Sequence, residues 1–406
     1  MKSRASLLVA QSGGPTAVIN SSLAGIITAA RQSGRIERVI GLSGGLEGFF
    51  EGRTPLDLTG LSEAQLAALR TSNGTALGSC RFTPREEHFQ LLLDFIRRHN
   101  IHYFLYIGGN GSMRTPLELA RRAHAIGQSL ICLGIPKTVD NDLFGTDFAP
   151  GYPSAARWLA HTTRDAGLDL IGMRGFDNIK IIEAMGRHSG WMAAATTLAR
   201  TRPADPPHLL YLPEQPFEIE RFLQDVATVY AWLGVALVVI AEGIRDKEGR
   251  FVAEMGGLPR DENGRALFSF TAGAASYLCG VITKELGLKA RFDRPGTLQR
   301  GAACVSELDR QLAYEVGKRG VEMALEGAET QMVAIVRCSE PGAPYLARLE
   351  GIDLVEVAGH EKPLPPEWFG PDGSMDATMF EAYARPLIEP ALPEPVRPDE
   401  FPLFNS

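Results

Sequence analysis

The sequence predicts an α/β fold with mostly parallel sheets, and three stretches carry the prediction. Residues 6–11 form a short apolar run ending in Ser12-Gly13-Gly14, followed by an Ala- and Ile-rich helical stretch to about Arg31. Residues 102–107 form an aromatic, apolar run ending in Gly108-Gly109-Asn110-Gly111-Ser112, with a helix expected from Pro116. Residues 129–133 form a third run, which breaks on Pro136 and delivers Lys137, Thr138, Asp140, Asn141 and Asp142. A strand, a glycine turn and a helix place backbone N–H groups where they can face an anion. Repeated in one chain, the layout describes a parallel sheet with phosphate chemistry along its C-terminal edge, where open α/β sheets bind ligands.

The third turn organises the rest. Asp140, Asn141 and Asp142 at a strand end do not belong in a core, because an unpaired buried carboxylate is too costly. A lysine beside them suits a base held near an anionic substrate, or a metal held near phosphate. Seen alone, the string also reads as a solvated turn with an Asp N-cap. A Gly-Gly pair likewise serves as a plain tight connection, and Arg81 as a surface arginine rather than one directed at phosphate.

The other elements follow in order. Residues 37–42 read as a strand ending in Gly44-Gly45, residues 71–84 as the polar loop carrying Arg81, and residues 89–100 as an amphipathic helix. Residues 178–182 read as a strand leading into Glu183-Ala184-Met185-Gly186-Arg187-His188, with an Ala-rich helix after Gly190. A strand at 208–212 and a helix at 217–229 precede the β-branched strand 235–240, which sets Glu242 at a strand C-terminus. Residues 246–265 look like a charged excursion. A helix at 271–286 follows, then one opening at 296–302 and running to about Leu325, then a strand at 331–337. Prolines repeat from Pro386 on, and an extended arm along the surface is expected.

Composition narrows the class. The 406 residues allow two or more domains with full cores, and 45% hydrophobic with 22% charged residues is ordinary for a globular protein. A net charge of -7 without a basic run argues against nucleic acid as a partner. Five dispersed cysteines with no C-x-x-C pair argue against a disulfide framework or zinc site, and fit a reducing compartment. The apolar stretch before Gly13 is too short for a signal peptide, and no run approaches membrane-spanning length. A cytoplasmic location and no membrane partner are expected.

GGPTAVIN (13–20), GGNGS (108–112), PKTVDND (136–142), MGRHSG (185–190), AEG (241–243) and LQRG (298–301), in this order, resemble the phosphofructokinase family over most of residues 5–340. The resemblance implies two Rossmann-like, three-layer α/β domains with the active site in the cleft between them. Residues 1–150 would be the phosphoryl-donor domain, completed by a return segment near 290–340. Residues 151–290 would bind fructose 6-phosphate, and 341–406 would be a C-terminal extension with a Pro-rich tail. The implied reaction is Mg²⁺-dependent phosphoryl transfer to O1 of fructose 6-phosphate, giving fructose 1,6-bisphosphate in glycolysis. The donor is ATP in some branches and inorganic pyrophosphate in others.

Carried over by position, the resemblance makes Asp140 the base that accepts the proton of the 1-hydroxyl. Thr138 and Asp140 would touch the sugar, Met185, Gly186 and Arg187 would hold it, and Glu242 would accept from its hydroxyls. Arg300 would grip the 6-phosphate, and Arg291 would reach the same phosphate from a neighbouring subunit of a homodimer or homotetramer. Arg187 and Arg81 would lie near the transferring phosphoryl group. Gly14, Gly111, Ser112 and Lys137 belong to the donor side, with Asn110 and Asp142 toward the metal. His188 is expected as a hydrogen-bonding residue at a helix N-terminus, Trp191 in packing, and Asn141 in shaping the turn. Asn178 and Lys180 stand where short ATP enzymes have a second arginine.

For the donor the residues pull two ways. Lys137 is kept as in the pyrophosphate branch, but Gly111 stands where that branch has an Asp that excludes the ATP α-phosphate. Arg114 nearby also resembles ATP enzymes. GGPTAVIN, MGRHSGW and TVDNDLFGTD look like the bacterial pyrophosphate branch, and the reading leans to pyrophosphate with ATP as the alternative. A longer polyphosphate is a third donor. A non-catalytic regulatory subunit would be expected to lose the base or the arginines, and all are present. A lipid or dinucleotide kinase would have no reason to combine MGR, AEG and LQRG.

Overall fold

The computed structural model describes residues 5–257, 273–340, 342–396 and 400–401. Among them, eleven strands form two sheets. They are β1 (Ala5–Gln11), β2 (Ile36–Gly41), β3 (Leu56–Asp57), β4 (Ile101–Gly108), β5 (Ile131–Pro136), β6 (Ile179–Ala184), β7 (Leu209–Tyr211), β8 (Ala236–Ala241), β9 (Ala290–Asp293), β10 (Gln331–Arg337) and β11 (Ala347–Asp353). The larger sheet has the order β11-β10-β5-β4-β1-β2-β3. It is parallel except at its two edges, where β3 and β11 run antiparallel. The smaller sheet, β7-β8-β6-β9, is parallel throughout.

The period-2 alternation of side chains makes the larger sheet the middle of three layers. Leu7 and Val9 of β1 enter the core with helices Ile19–Ser33 and Glu307–Glu326. Leu8 and Ala10 enter the core on the other face, with helices Glu86–Arg98 and Asn110–Ala125. Helices Ile19–Ser33 and Glu307–Glu326 cross closely because Gly25 lies on the Tyr314 carbonyl and Gly317 on the Ser22 carbonyl, where no Cβ would fit. The first of these cores runs on through Phe148 and Tyr152 into the strands of the smaller sheet, so both halves share one interior.

Several expectations change. The helix expected from Pro116 begins at Asn110, so the GGNGS turn is itself the first helical turn, and Pro116 lies inside the helix. The single helix expected from 296 is a 3₁₀ turn, Gly296–Arg300, broken at Gly301 (φ 75°) before Ser306 caps Glu307–Glu326. The helix Tyr152–Gly172 gave no sequence signal, because its buried face is built largely from small residues, among them Ser154, Ala155, Ala156, Ala160 and Gly167. Residues 290–293 pair with β6 in the smaller sheet, and the chain rejoins the larger sheet only through Glu307–Glu326 and β10. The segment after 341 adds the edge strand β11 and helix Ala377–Ala384 before its proline arm. That arm lies along Tyr152–Gly172, with Arg157 and Arg164 donating to the carbonyls of Ile388, Pro390 and Pro393. Residues 258–265 of the charged excursion, and the expected helix start at Thr271, lie outside the described residues.

Candidate active site

The site residues follow the C-terminal ends of five strands: Ser12 after β1, Gly109 after β4, Lys137 after β5, Met185 after β6 and Glu242 after β8. β5 lies inside the larger sheet between β10 and β4 and is buried from Cys132 on, and Lys137 emerges from it almost wholly buried, at 3% exposure. Its Nζ donates to the Gly14 carbonyl (2.9 Å), which ties the third turn to the first. Burial pushes the ammonium down to about 8, while Asp140 favours the charged form. The loop bearing Arg81 is pinned over the same turn. Gly13 N–H donates to the Cys80 carbonyl (2.9 Å), and Ser79 Oγ donates to the Gly13 carbonyl (2.6 Å).

Asp140 sits one residue before Asn141, whose backbone has φ 54°, a conformation that tolerates Asn better than most residues. Asp140 N–H donates to Thr138 Oγ1 (3.1 Å), and Ser189 Oγ donates to the Asp140 carbonyl (3.2 Å), joining the β5 turn to the loop after β6. Its Oδ1 is buried and accepts no hydrogen bond, and the same holds for Asp142 Oδ1. Burial, with the Asp142 carboxylate adding to it, pushes the Asp140 carboxyl up to about 6; Arg187, Lys137 and Arg81 oppose. Burial also raises Asp142. Glu242 is raised to about 7, first by burial, although Arg187 Nε lies 3.4 Å from its Oε1.

Opposite these carboxylates stand guanidinium groups that lack anions. Arg81 is exposed and Arg300 half-buried, and neither forms an ion pair or hydrogen bond among the described residues. Burial lowers the pKa of Arg300, with Arg81 adding to the effect. The Arg300 guanidinium lies over the first turn, where a Cβ on Gly14 would come within 2.6 Å of it. Gly186 takes φ 128°, and Met185 N–H donates to Gln299 Oε1 (2.8 Å), so the residue before Arg300 fixes the loop before Arg187. Ser112 and Ser12 share a hydrogen bond (2.9 Å) across the two glycine turns. Gly111 faces open space, with nothing within 4 Å of where its Cβ would be.

Two expected site residues do not join this cluster. Arg291 is exposed on the edge strand β9, its Nε 2.7 Å from Asp177 Oδ1. Asn110 has both ends of its amide engaged, Nδ2 donating to the His360 carbonyl (2.9 Å) and Oδ1 accepting from Gly359 N–H (3.2 Å). His188 does not cap a helix; its Nδ1 lies 3.6 Å from Glu361 Oε2. The N-terminal role falls to Glu214, whose Oε1 accepts from Gly190 N–H (2.8 Å). Gln299, Glu214 and residues 359–364 went unnoticed in the sequence. Gln299 alone carried a signal, as a member of LQRG.

The cluster sets carboxylates with buried oxygens against a buried ammonium and two guanidinium groups without anions, an arrangement suited to a polyanion. The family model described as phosphofructokinase matches residues 6–324. The chain belongs to that family. Among phosphofructokinase relatives, the pyrophosphate–fructose 6-phosphate 1-phosphotransferase of Xanthomonas campestris pv. campestris is 39% identical, covering 98% of this chain and 95% of its own. That of Methylococcus capsulatus is 40% identical over 94% of this chain and 90% of its own. A crystal structure of the pyrophosphate-dependent phosphofructokinase from Nitrosospira multiformis superposes with a TM-score of 0.85 at 33% identity, covering 98% of this chain and 95% of its own. The cluster is drawn from the C-terminal ends of strands of both sheets, β1, β4 and β5 of the larger and β6 and β8 of the smaller. No helix among the described residues is long and apolar enough to cross a membrane.

Proposed function

We propose that the chain transfers a phosphoryl group from inorganic pyrophosphate to O1 of fructose 6-phosphate, reversibly, with Asp140 as the base. One observation carries the reading: an Asp140 carboxylate whose Oδ1 is buried and without a hydrogen-bond partner stands near Lys137 and two arginines, Arg81 and Arg300, that have no ion pair among the described residues. Phosphoryl transfer asks for positioning and charge neutralisation more than covalent chemistry, and that is what these groups supply. Asp140 takes the hydroxyl proton as the 1-oxygen attacks. Arg187 and Arg81 neutralise charge on the transferring group, Arg300 holds the 6-phosphate, and Glu242 orients the sugar with Thr138, Met185 and Gly186. Gly14, Ser112 and the N-terminus of Asn110–Ala125 accommodate the donor beside Lys137. The names of the relatives support pyrophosphate as that donor.

Among the described residues no three His, Cys, Asp or Glu side chains gather as a metal cage. Two buried carboxylate oxygens without partners, on Asp140 and Asp142, do suit Mg²⁺, which takes one or two carboxylates and leaves the rest to phosphates and water. Asp142 would hold it and Asn110 would lie beside it; bound there, the ion neutralises phosphate charge. We further read residues 1–150 with the return through β10 as the donor domain, and 151–290 as the sugar domain. Arg291, exposed on an edge strand, is read as serving a neighbouring subunit of a homo-oligomer.

The open space at Gly111 favours a second reading, ATP as donor, since nothing there obstructs an α-phosphate. Initial rates with fructose 6-phosphate and Mg²⁺, comparing pyrophosphate and ATP at matched concentration, separate the two. Pyrophosphate activity is expected to dominate; activity with ATP alone would overturn the donor assignment. A companion variant uses the same space. Gly111→Asp fits sterically and is expected to keep most pyrophosphate turnover while lowering any ATP kcat/KM at least tenfold, through a carboxylate set against the nucleotide phosphates. An unchanged donor ratio would show that this position does not select the donor.

A further inference from the structure

Residues 359–364 lie beyond the span of the family match, which ends at 324, yet they pack against two of the turns that carry the site. On one side Lys362 N–H donates to the Asp142 carbonyl (2.9 Å), and Glu361 bridges to Leu143. On the other, Trp191 Nε1 donates to the Lys362 carbonyl (2.9 Å), and Leu364 N–H donates to Glu214 Oε1 (3.0 Å), the oxygen that also holds Gly190. The segment is thus tied both to the turn after β5 and to the loop after β6.

Lys362 is its anchor. A lysine ammonium has three donors, and here they meet Asn141 Oδ1 (3.3 Å), the Thr146 carbonyl (3.0 Å) and the Asp147 carbonyl (2.7 Å). The same ammonium stands 4.8 Å over the Trp191 ring. Asn141 is the residue whose positive φ turns the chain between Asp140 and Asp142. A backbone held in that region persists only when its surroundings over-determine it. Besides Lys362, only the Ala149 N–H and the Tyr383 hydroxyl hold its side chain among the described residues.

We propose that Lys362 is a positioning residue for phosphoryl transfer: its ammonium and its backbone N–H clamp Asn141 and Asp142, and so aim the Asp140 carboxylate. The inference rests on the reading of Asp140 given above, but the clamp itself is measurable without activity. Lys362→Met keeps the length of the side chain and removes charge and donors. Expected are a fall in kcat of about 10²-fold, the scale of a misplaced reacting group, KM for fructose 6-phosphate unchanged within about threefold, and faster hydrogen exchange at amides 138–143. Lys362→Arg is expected to recover at least a tenth of the wild-type kcat. A kcat near wild type, a loss carried by KM alone, or unaltered exchange at 138–143 would each overturn the proposal. Should the unsubstituted protein phosphorylate no fructose 6-phosphate, the reading of the reaction fails, and hydrogen exchange still decides the clamp. Should the Met variant not fold, Trp191→Phe removes the Nε1 bond to the Lys362 carbonyl. Faster exchange at 138–143 then supports the clamp and unchanged exchange refutes it.

Discussion

Asp140→Asn is expected to lower kcat for fructose 6-phosphate phosphorylation by about 10²–10⁴-fold, the range of a lost general base, with KM for the sugar moved by less than about threefold. The amide keeps the shape of the side chain and the Asp140 N–H bond to Thr138, and removes the proton acceptor together with its negative charge. The pH dependence follows from the same site. Asp140, with its carboxyl pushed up to about 6, acts only when ionised, so kcat/KM rises with pH through about 6. The charged groups facing it are Asp142, which raises it, and Arg187, Lys137 and Arg81, which lower it. Glu242 titrates near 7 and steepens that limb. Stability runs the other way. A carboxyl raised in the folded state binds protons that the unfolded chain has released, so its contribution to stability falls as pH rises from about 4 to 6. The Asn variant is therefore expected to melt higher than wild type at pH 8. Wild-type turnover in the variant would refute the assignment.

Lys137→Met is expected to lower kcat by about 10²–10³-fold, the scale of one lost oxyanion donor, and to raise KM for the donor. The lysine is 3% exposed and spends one N–H on the Gly14 carbonyl, which leaves its charge and two donors for phosphate. Because burial lowers it to about 8, wild-type kcat/KM should fall above that pH as the ammonium loses its proton. The Met variant should lack that alkaline limb. A variant that keeps the limb would assign it to another group.

Much of this was legible beforehand because strand-to-turn transitions are local. An apolar run followed by glycine or proline marks a sheet edge whatever it packs against, and Lys137, Asp140, Arg187 and Glu242 each lie within a few residues of such an edge. What went unread had no local signature. Helix Tyr152–Gly172 buries mostly small side chains, and β11 alternates half-buried and exposed residues at an edge. Asn110 presents the residue type of a metal ligand, and only its neighbours show both ends of its amide committed to residues 359–360.

By itself, then, the sequence determined the α/β class, the phosphate-bearing edge and the residue types of the chemistry, because these depend on spacing along the chain. The tertiary structure alone decided which charges stay unpaired. Arg81 and Arg300 were left without anions while Arg291 was spent on Asp177, and Lys362, some two hundred residues from Asn141, was brought beneath the catalytic turn. Pairing and burial depend on separation in space, which is also what sets the cost of a charge.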